Sequence, residues 1–352
     1  MKATKMSRQI TQAEIARLAG VSQATVSLVL NSRSRDARVS PETEARVRTV
    51  IEKWGYVPNA AARSLVGGRN AIVGVFTFEP AFPTDQGDFY WPFLAGIEQE
   101  AELSGRDLLM FTSAGPARRI FTGAQTRLSL ADGSLLLGRD PDLDGIRGLI
   151  DLGHPFVYIG HREVGSLPLS YVAADYAQAT EAHVQLLTEL GHHRIAYVRT
   201  GQGANLPSRD RIEGFRRAVT AAGITQSASP VWEAASLTDA AALLDAADEL
   251  GITAIVAEQQ VLAEQIDHAA TARGVSVPAD LSLSVLGDVI GAAITARGWS
   301  GYSVAGHEMG SAALSLLNQI IEDNDHTPRH LLVPCTPIDG VTVAAAPIGA
   351  AR

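Results

Sequence analysis

Cysteine is nearly absent: Cys335 is the only one in 352 residues. An internal disulfide is therefore excluded, and a reducing, cytoplasmic setting is expected. Aromatic residues make up 6% of the chain and charged residues 19%, against 46% hydrophobic. That balance fits a globular protein with a large core, not a disordered or fibrous one. No apolar run reaches the roughly 18 residues that a spanning helix needs, so no membrane partner is expected. The first residues, MKATKMSRQI, lack the apolar stretch of a secretory leader. Catalytic signatures are missing too. There is no G-x-S-x-G elbow. Gly201-Gln202-Gly203-Ala204-Asn205-Leu206 lacks the third glycine of a dinucleotide fingerprint. His192 and His193 are adjacent, so their rings point apart on a helix or strand and do not make a metal pair. No enzyme activity, metal or cofactor is expected.

What is present is unevenly distributed. Residues 1–70 hold 12 Lys+Arg against 5 Asp+Glu, a charge of +7; the whole chain is −9, so residues 71–352 carry −16. A basic head on an acidic body is the pattern of a nucleic-acid module joined to something else. Within the head, residues 11–31 read TQAEIARLAGVSQATVSLVLN. Thr11 and Glu14 form a capping-box pair for a first short helix. Ile15, Leu18 and Ala19 make its apolar stripe. Gly20 ends it, Val21 plugs the turn, and Ser22 caps a second helix. That helix turns Val26, Val29 and Leu30 inward. Its other face, Gln23, Ala24, Thr25, Ser27 and Leu28, is small and uncharged. Such a face can enter a major groove, where side chains near a helix N-terminus meet base edges. Two ordinary core helices would show the same pattern, and the charge asymmetry tips the balance toward DNA.

A third helix follows in SPETEARVRTVIEKWGY. Ser40 caps it, Pro41 sits in its first turn, and Gly55 stops it. Val47, Val50, Ile51 and Trp54 form its stripe. Next comes Pro58-Asn59-Ala60-Ala61-Ala62-Arg63-Ser64-Leu65. Asn59 can cap about two helical turns, too few to persist alone in water. Three alanines give a narrow face, and Leu65 has little nearby to bury it. An apolar wedge of this kind suits the minor groove, where it opens a base step. A plain interdomain linker is the alternative reading.

Beyond residue 70, buried strands alternate with amphipathic helices. Strands are expected at 71–78, 106–112, 133–138 and 155–160, with helices near 92–104, 117–129 and 142–152. A second series has strands at 193–199, 253–258 and 281–287 and a weaker one near Val231 and Trp232. Its helices lie near 176–190, 209–222, 238–249 and 260–273. Such alternation means parallel sheets with helices on both faces, here two doubly wound subdomains. In that fold class ligands sit beyond the carboxyl ends of the strands.

Residues 11–66 resemble the headpiece of the LacI/GalR family of bacterial transcription regulators. The strings that carry the resemblance are IARLAGVSQATVSLVLN, VSPETEARVRTVIEKWGYVPN and AAARSL. More loosely, the resemblance runs along nearly the whole chain. It implies a core like the periplasmic sugar-binding proteins, a homodimer, a palindromic operator in double-stranded DNA, and a small-molecule effector. On the DNA side it points to Ser22, Gln23, Ala24, Thr25, Ser27 and Leu28 in the reading helix. Gln23 and Ala24 would lead the base reading. Asn59, Ala62, Arg63 and Leu65 would belong to a hinge helix that folds on DNA. Leu28 stands where the family usually has Arg, which removes a guanine contact. The loop Ser32–Arg38 is about three residues longer than usual and carries Arg33, Arg35 and Arg38, so extra phosphate contacts and a solvated loop both fit.

On the effector side the resemblance singles out Arg209, which opens an R-x-R-x-x-G-F segment, and the aromatic pair Phe89 and Tyr90, with Trp91 beside them. Asp175 matches a recurrent family aspartate and equally suits a helix N-cap. Glu258 and Asp288 stand where the family has A-N-D and G-F/Y-D-D segments, and the chain departs from both. The expected organisation is a helix-turn-helix domain at 8–57 and a hinge and linker at 58–70. The core N-terminal subdomain would be 71–160 plus 302–327, and the C-terminal one 161–301 plus 328–345. Crossings would fall near 161–172, 290–302 and 326–330, with a helix from His307 to Glu322 returning to the first subdomain. The function implied is a DNA-binding regulator, a repressor governed by a sugar or sugar derivative. A solute-binding receptor with the same core and no DNA role is the alternative.

Overall fold

The computed structural model describes residues 10–30, 39–56, 69–80, 89–112, 118–123, 125–138, 140–160, 167–201, 206–234, 240–287 and 297–347. The chain divides into two compact units, Met1–Ile72 and Val73–Arg352. The first holds α1 (Gln12–Ala19), α2 (Gln23–Leu30) and α3 (Pro41–Trp54). The capping box is formed: the Thr11 N–H donates to the Glu14 carboxylate at 2.8 Å and the Glu14 N–H donates to the Thr11 hydroxyl at 3.3 Å. Gly20 closes α1 at φ 66°, a left-handed conformation that costs glycine little. Ile15, Ala16, Ala19, Val26, Val29 and Val47 are the buried core of this unit. Arg46 ties α3 to α1, its Nε donating to the Ala19 carbonyl at 2.9 Å.

Two residues of the expected stripes lie outside that core. Leu18 is 38% exposed and Trp54 53% exposed. An eight-residue helix buries one narrow stripe, and in α1 Ala16 takes the place expected of Leu18. Trp54 is the last residue of α3, two turns beyond the buried Val47.

The second unit begins with β1 (Ile72–Thr77), α4 (Trp91–Ser104), β2 (Asp107–Phe111), β3 (Phe121–Thr122), β4 (Gln125–Thr126), β5 (Gly133–Leu137), α5 (Leu143–Asp151), β6 (Phe156–Ile159) and β7 (Ser170–Ala174). It continues with α6 (Tyr176–Glu189), β8 (Ile195–Thr200), α7 (Leu206–Ala221), β9 (Val231–Ala234), α8 (Ala240–Leu250), β10 (Ala254–Ala257), α9 (Gln260–Ala272), β11 (Ser282–Leu286) and β12 (Ser300–Ser303). It closes with α10 (Gly306–Asp323), β13 (His330–Val333) and β14 (Thr336–Ile338). One six-stranded sheet has the order β13-β7-β6-β5-β1-β2, the other β14-β12-β11-β10-β8-β9. Every pairing from β13 to β1 is parallel, and so is every pairing from β12 to β9; β14 runs antiparallel to β12. Central strands such as β5, β10 and β11 are buried throughout, which explains their unbroken apolar or small-residue runs.

The helix expected over 117–129 is absent. A hairpin of β3 and β4 and a 3-10 turn at Arg127–Leu130 occupy the stretch. Gly123 makes the turn at φ 63°, and β-branched Thr122 and Thr126 favour extended backbone. Ile120 and Leu128 are buried on that path, so the segment still covers the sheet.

The crossings between the halves also move. They fall at Asp175, between β7 and α6, at Val304–Ala305, between β12 and α10, and at Pro334–Cys335, between β13 and β14. β7 extends the first sheet because its buried residues pair with β6. β12, hidden in the polar-looking string SGYS, extends the second sheet before the chain leaves it, and β14 later adds the edge strand. Leu331–Val333, expected in the second half, pairs with β7 in the first. The boundaries set at 160/161, 301/302 and 327/328 therefore each lie too early. α10 does return to the first half, where it packs on α4.

Candidate functional site

In the head, Ser22 accepts a hydrogen bond from the Thr25 N–H at 3.1 Å and so fixes the start of α2. Its hydroxyl also lies 2.9 Å from that of Thr25. Ser22, Gln23 and Ala24 are exposed, while Thr25, Ser27 and Leu28 are half-buried. The first turn of α2 thus presents a small uncharged surface, held by buried Val26 and Val29 behind it. Asn59, Ala62, Arg63 and Leu65, and the loop at 32–38, lie outside the described residues.

In the core, strand order reverses between β1 and β5 in one sheet and between β8 and β10 in the other. Those reversals are where an open α/β sheet leaves a crevice at its carboxyl edge. The two edges differ. At the first, Phe89, Tyr90 and Phe93 form an aromatic cluster at the start of α4, with ring centroids 5.3 and 5.2 Å apart. Phe89 is 39% and Trp91 57% exposed. Tyr90 donates to Glu79, just past β1. Arg118 donates to the Thr77 hydroxyl at 3.1 Å.

The second edge is charged and buried. Glu258 follows β10, and its carboxylate accepts from the Tyr197 hydroxyl at 2.8 Å and the Ser208 hydroxyl at 2.7 Å. Gln259 Nε2 donates to the other carboxylate oxygen at 3.1 Å. Arg211 reaches in from α7. Its guanidinium stacks 3.9 Å from the Tyr176 ring centroid, and its Nε donates to the Tyr302 hydroxyl at 3.2 Å. The Tyr302 hydroxyl in turn lies 2.9 Å from that of Thr180. Arg199, at the end of β8, pairs with Glu233 and donates to Ser208 at 3.4 Å. Burial raises the Tyr197 pKa, and the neighbouring Glu258 carboxylate raises it further. Burial raises that of Tyr302 as well. Burial alone would lower the Arg211 pKa, but Tyr302, Tyr176, Tyr197 and Glu258 together raise it. Both phenols are therefore neutral donors and Arg211 is a permanent cation.

Each expected effector residue other than Asp288 has a definite place. Arg209 is exposed in the first turns of α7, on a stripe with Ile212, Glu213 and Arg216. Asp175 caps α6, accepting from the Gln178 N–H at 3.0 Å. Glu258 is 6% exposed and belongs to the buried network. Phe89 and Tyr90 stand at the opposite sheet edge. Asp288 lies outside the described residues. Sequence reasoning missed Arg211, although a signal was there. Arg211 precedes Phe215 by four and Ala218 by seven, on the buried helix face, whereas two residues of separation puts Arg209 on the other side. Gly214 completes the placement: a Cβ there would lie 2.1 Å from the Ala177 carbonyl oxygen, so only glycine lets α7 approach α6 this closely. His192 is a structural residue, its ring held between the Thr253 hydroxyl at 2.8 Å and the Ala344 carbonyl at 3.0 Å.

A basic three-helix head with an exposed uncharged helix face, on a core with paired sheet edges, defines a class: DNA-binding regulators with a ligand-binding core. Residues 11–59 match the family model of bacterial regulatory proteins, lacI family, and residues 184–343 match the periplasmic binding protein-like domain. The HTH-type transcriptional regulator DegA of Bacillus subtilis (strain 168) is 28% identical over 280 residues, 77% of this chain and 79% of that protein. A structure of the transcriptional regulator CelR–cellobiose complex is 26% identical, with a TM-score of 0.61, covering 95% of this chain and 99% of that one. The lac repressor dimer bound to operator and the anti-inducer ONPF shares the fold at 21% identity, with a TM-score of 0.65 over 96% of this chain and 100% of that one. The head and the core together carry the two domains of LacI-family bacterial transcription regulators, which are not enzymes. Among the described residues no helix is long and apolar enough to cross a membrane.

Proposed function

We propose that the chain is a repressor that binds a palindromic operator as a homodimer and is released or engaged by a sugar-like effector in the core cleft. The observation that carries the effector half is the pairing of Arg211 and its hydroxyl-rich surroundings with an aromatic cluster at the other sheet edge. A planar cation with several donors suits hydroxyl groups, and an aromatic face suits the apolar side of a sugar ring. Arg209 then serves at the rim and Arg211 at the floor. The related CelR structure is a cellobiose complex, which supports a saccharide as the ligand class. For the operator half, Gln23 and Ala24 read bases, Thr25, Ser27 and Leu28 line the contact, and Leu65 is the wedge of a hinge segment with Asn59, Ala62 and Arg63. Two copies of such a head match the two half-sites of a palindrome.

A thermal-shift screen of the full chain against neutral mono- and disaccharides tests the effector half, because a ligand that binds only the folded state raises its melting temperature. At least one saccharide should raise it, and Arg211→Gln should abolish that rise. A panel with no response, or a response that survives the substitution, would displace the proposed site.

A further inference from the structure

We infer that Glu258 is the built-in counter-ion of Arg211 and makes this cleft select an uncharged ligand over a phosphorylated or carboxylated one. The inference rests on reading the cleft as the effector site, and it names the charge class that site accepts. Arg211 is 9% and Glu258 6% exposed, so both charges are held away from water. They share one wall with no direct ion pair between them: Ser208, one turn before Arg211 on the buried face of α7, donates to Glu258 and accepts from Arg199, Tyr197 also donates to Glu258, and Arg211 lies against Tyr176 and Tyr302. Among the described residues this wall holds two cations, Arg199 and Arg211, and two carboxylates, Glu233 and Glu258. Among these described residues the charges cancel.

An incoming phosphate or carboxylate would add a negative charge that the wall cannot balance. Leaving a charge unpaired in a buried site is strongly unfavourable. A hydroxyl group can trade hydrogen bonds with guanidinium, carboxylate and carboxamide without changing the charge. Replacing Glu258 by a neutral residue of the same shape reverses the situation. Arg211 is then an uncompensated buried cation, and an anion is its natural partner.

The test uses inorganic phosphate as the probe and therefore needs no knowledge of the effector. Full-length wild type and Glu258→Gln are melted in rising potassium phosphate, each against potassium chloride of equal ionic strength. Both chains carry the same basic head, so phosphate bound there cancels in the comparison. Wild type should show no saturable stabilisation of the core beyond the chloride control. Glu258→Gln should show a saturable rise in melting temperature at millimolar phosphate, and adding Arg211→Gln should remove it. Should Glu258→Gln not fold, Glu258→Asn, shorter and equally neutral, is expected to gain the same response. Equal phosphate responses in wild type and variant, or none in either, would overturn the inference, as would a response that persists without Arg211. Failure of the saccharide screen with success here would instead count against the sugar reading alone.

Discussion

The head and the core solve opposite problems. The head builds its binding surface outward: six buried side chains hold α2 so that Ser22, Gln23 and Ala24 stand in solvent. The core builds inward, gathering Glu258, Tyr197, Arg211 and Tyr302 from four separate elements into a place with almost no water. Charge divides the same way, +7 over residues 1–70 against −16 over the remainder. The difference teaches where each function is vulnerable. An exposed reading face can change its side chains at little cost to folding. A buried polar wall cannot, because each group is the hydrogen-bond partner of another.

Three substitutions or conditions sharpen this contrast. The largest effect is expected from Gly214→Ala. The new methyl would meet the Ala177 carbonyl, so α7 must back away from α6 and carry Arg211 with it. A loss of about 3 kcal/mol is expected, near the upper end for overpacking. Chemical denaturation should report it in the core, while binding of the head to nonspecific DNA stays unchanged.

Acid should come next, and it should act on the core alone. All nine histidines lie beyond residue 150 and none is in the head. His183, hydrogen-bonded to Ser284 at 2.7 Å, has its pKa lowered by burial to about 4 from 6.5. A folded pKa below the unfolded value means stability is full above about pH 6.5 and is lost as pH falls toward 4. Between pH 7 and pH 5 this one ring should cost about 2 kcal/mol, at about 1.4 kcal/mol per unit. His183→Gln should flatten the acid limb of core stability. A slope unchanged by the substitution would assign the acid sensitivity to other groups.

The smallest effect is expected from Ser22→Ala. It removes the cap on α2 and should cost the head about 1 kcal/mol. Sequence-specific DNA binding should weaken several-fold, with ligand stabilisation of the core unchanged. A matching loss in the core would break the proposed division of labour.

The same contrast explains how far the chain could be read as a string. Caps and stripes are local, so Thr11, Glu14, Gly20, Ser22 and Ser40 mark the head's helices almost residue by residue. Leu18 and Trp54 misled because periodicity shows which side is apolar, not how wide a stripe the neighbours can cover. In the core the parallel strands were legible from their apolar runs. The crossings were not, because β7 is a short strand set apart from β6 along the chain, β12 hides in the small polar string SGYS, and β13 finds its place through a partner more than one hundred residues away. The buried wall proposed for the effector was half legible. Glu258 and the R-x-R-x-x-G-F segment stood out, but which arginine faces inward depends on the packing of Phe215 and Gly214 against the sheet and α6.

The central claim is that the exposed first turn of α2 reads a palindrome in DNA. Selection from a random duplex library with the full chain, run in parallel with Gln23→Ala, tests it most directly. An inverted repeat should emerge with the native chain, and the substitution should relax one symmetric pair of positions in that repeat by roughly 1–3 kcal/mol while sparing the rest. Enrichment of no common sequence, or of the same sequence with the same stringency in both chains, would contradict it.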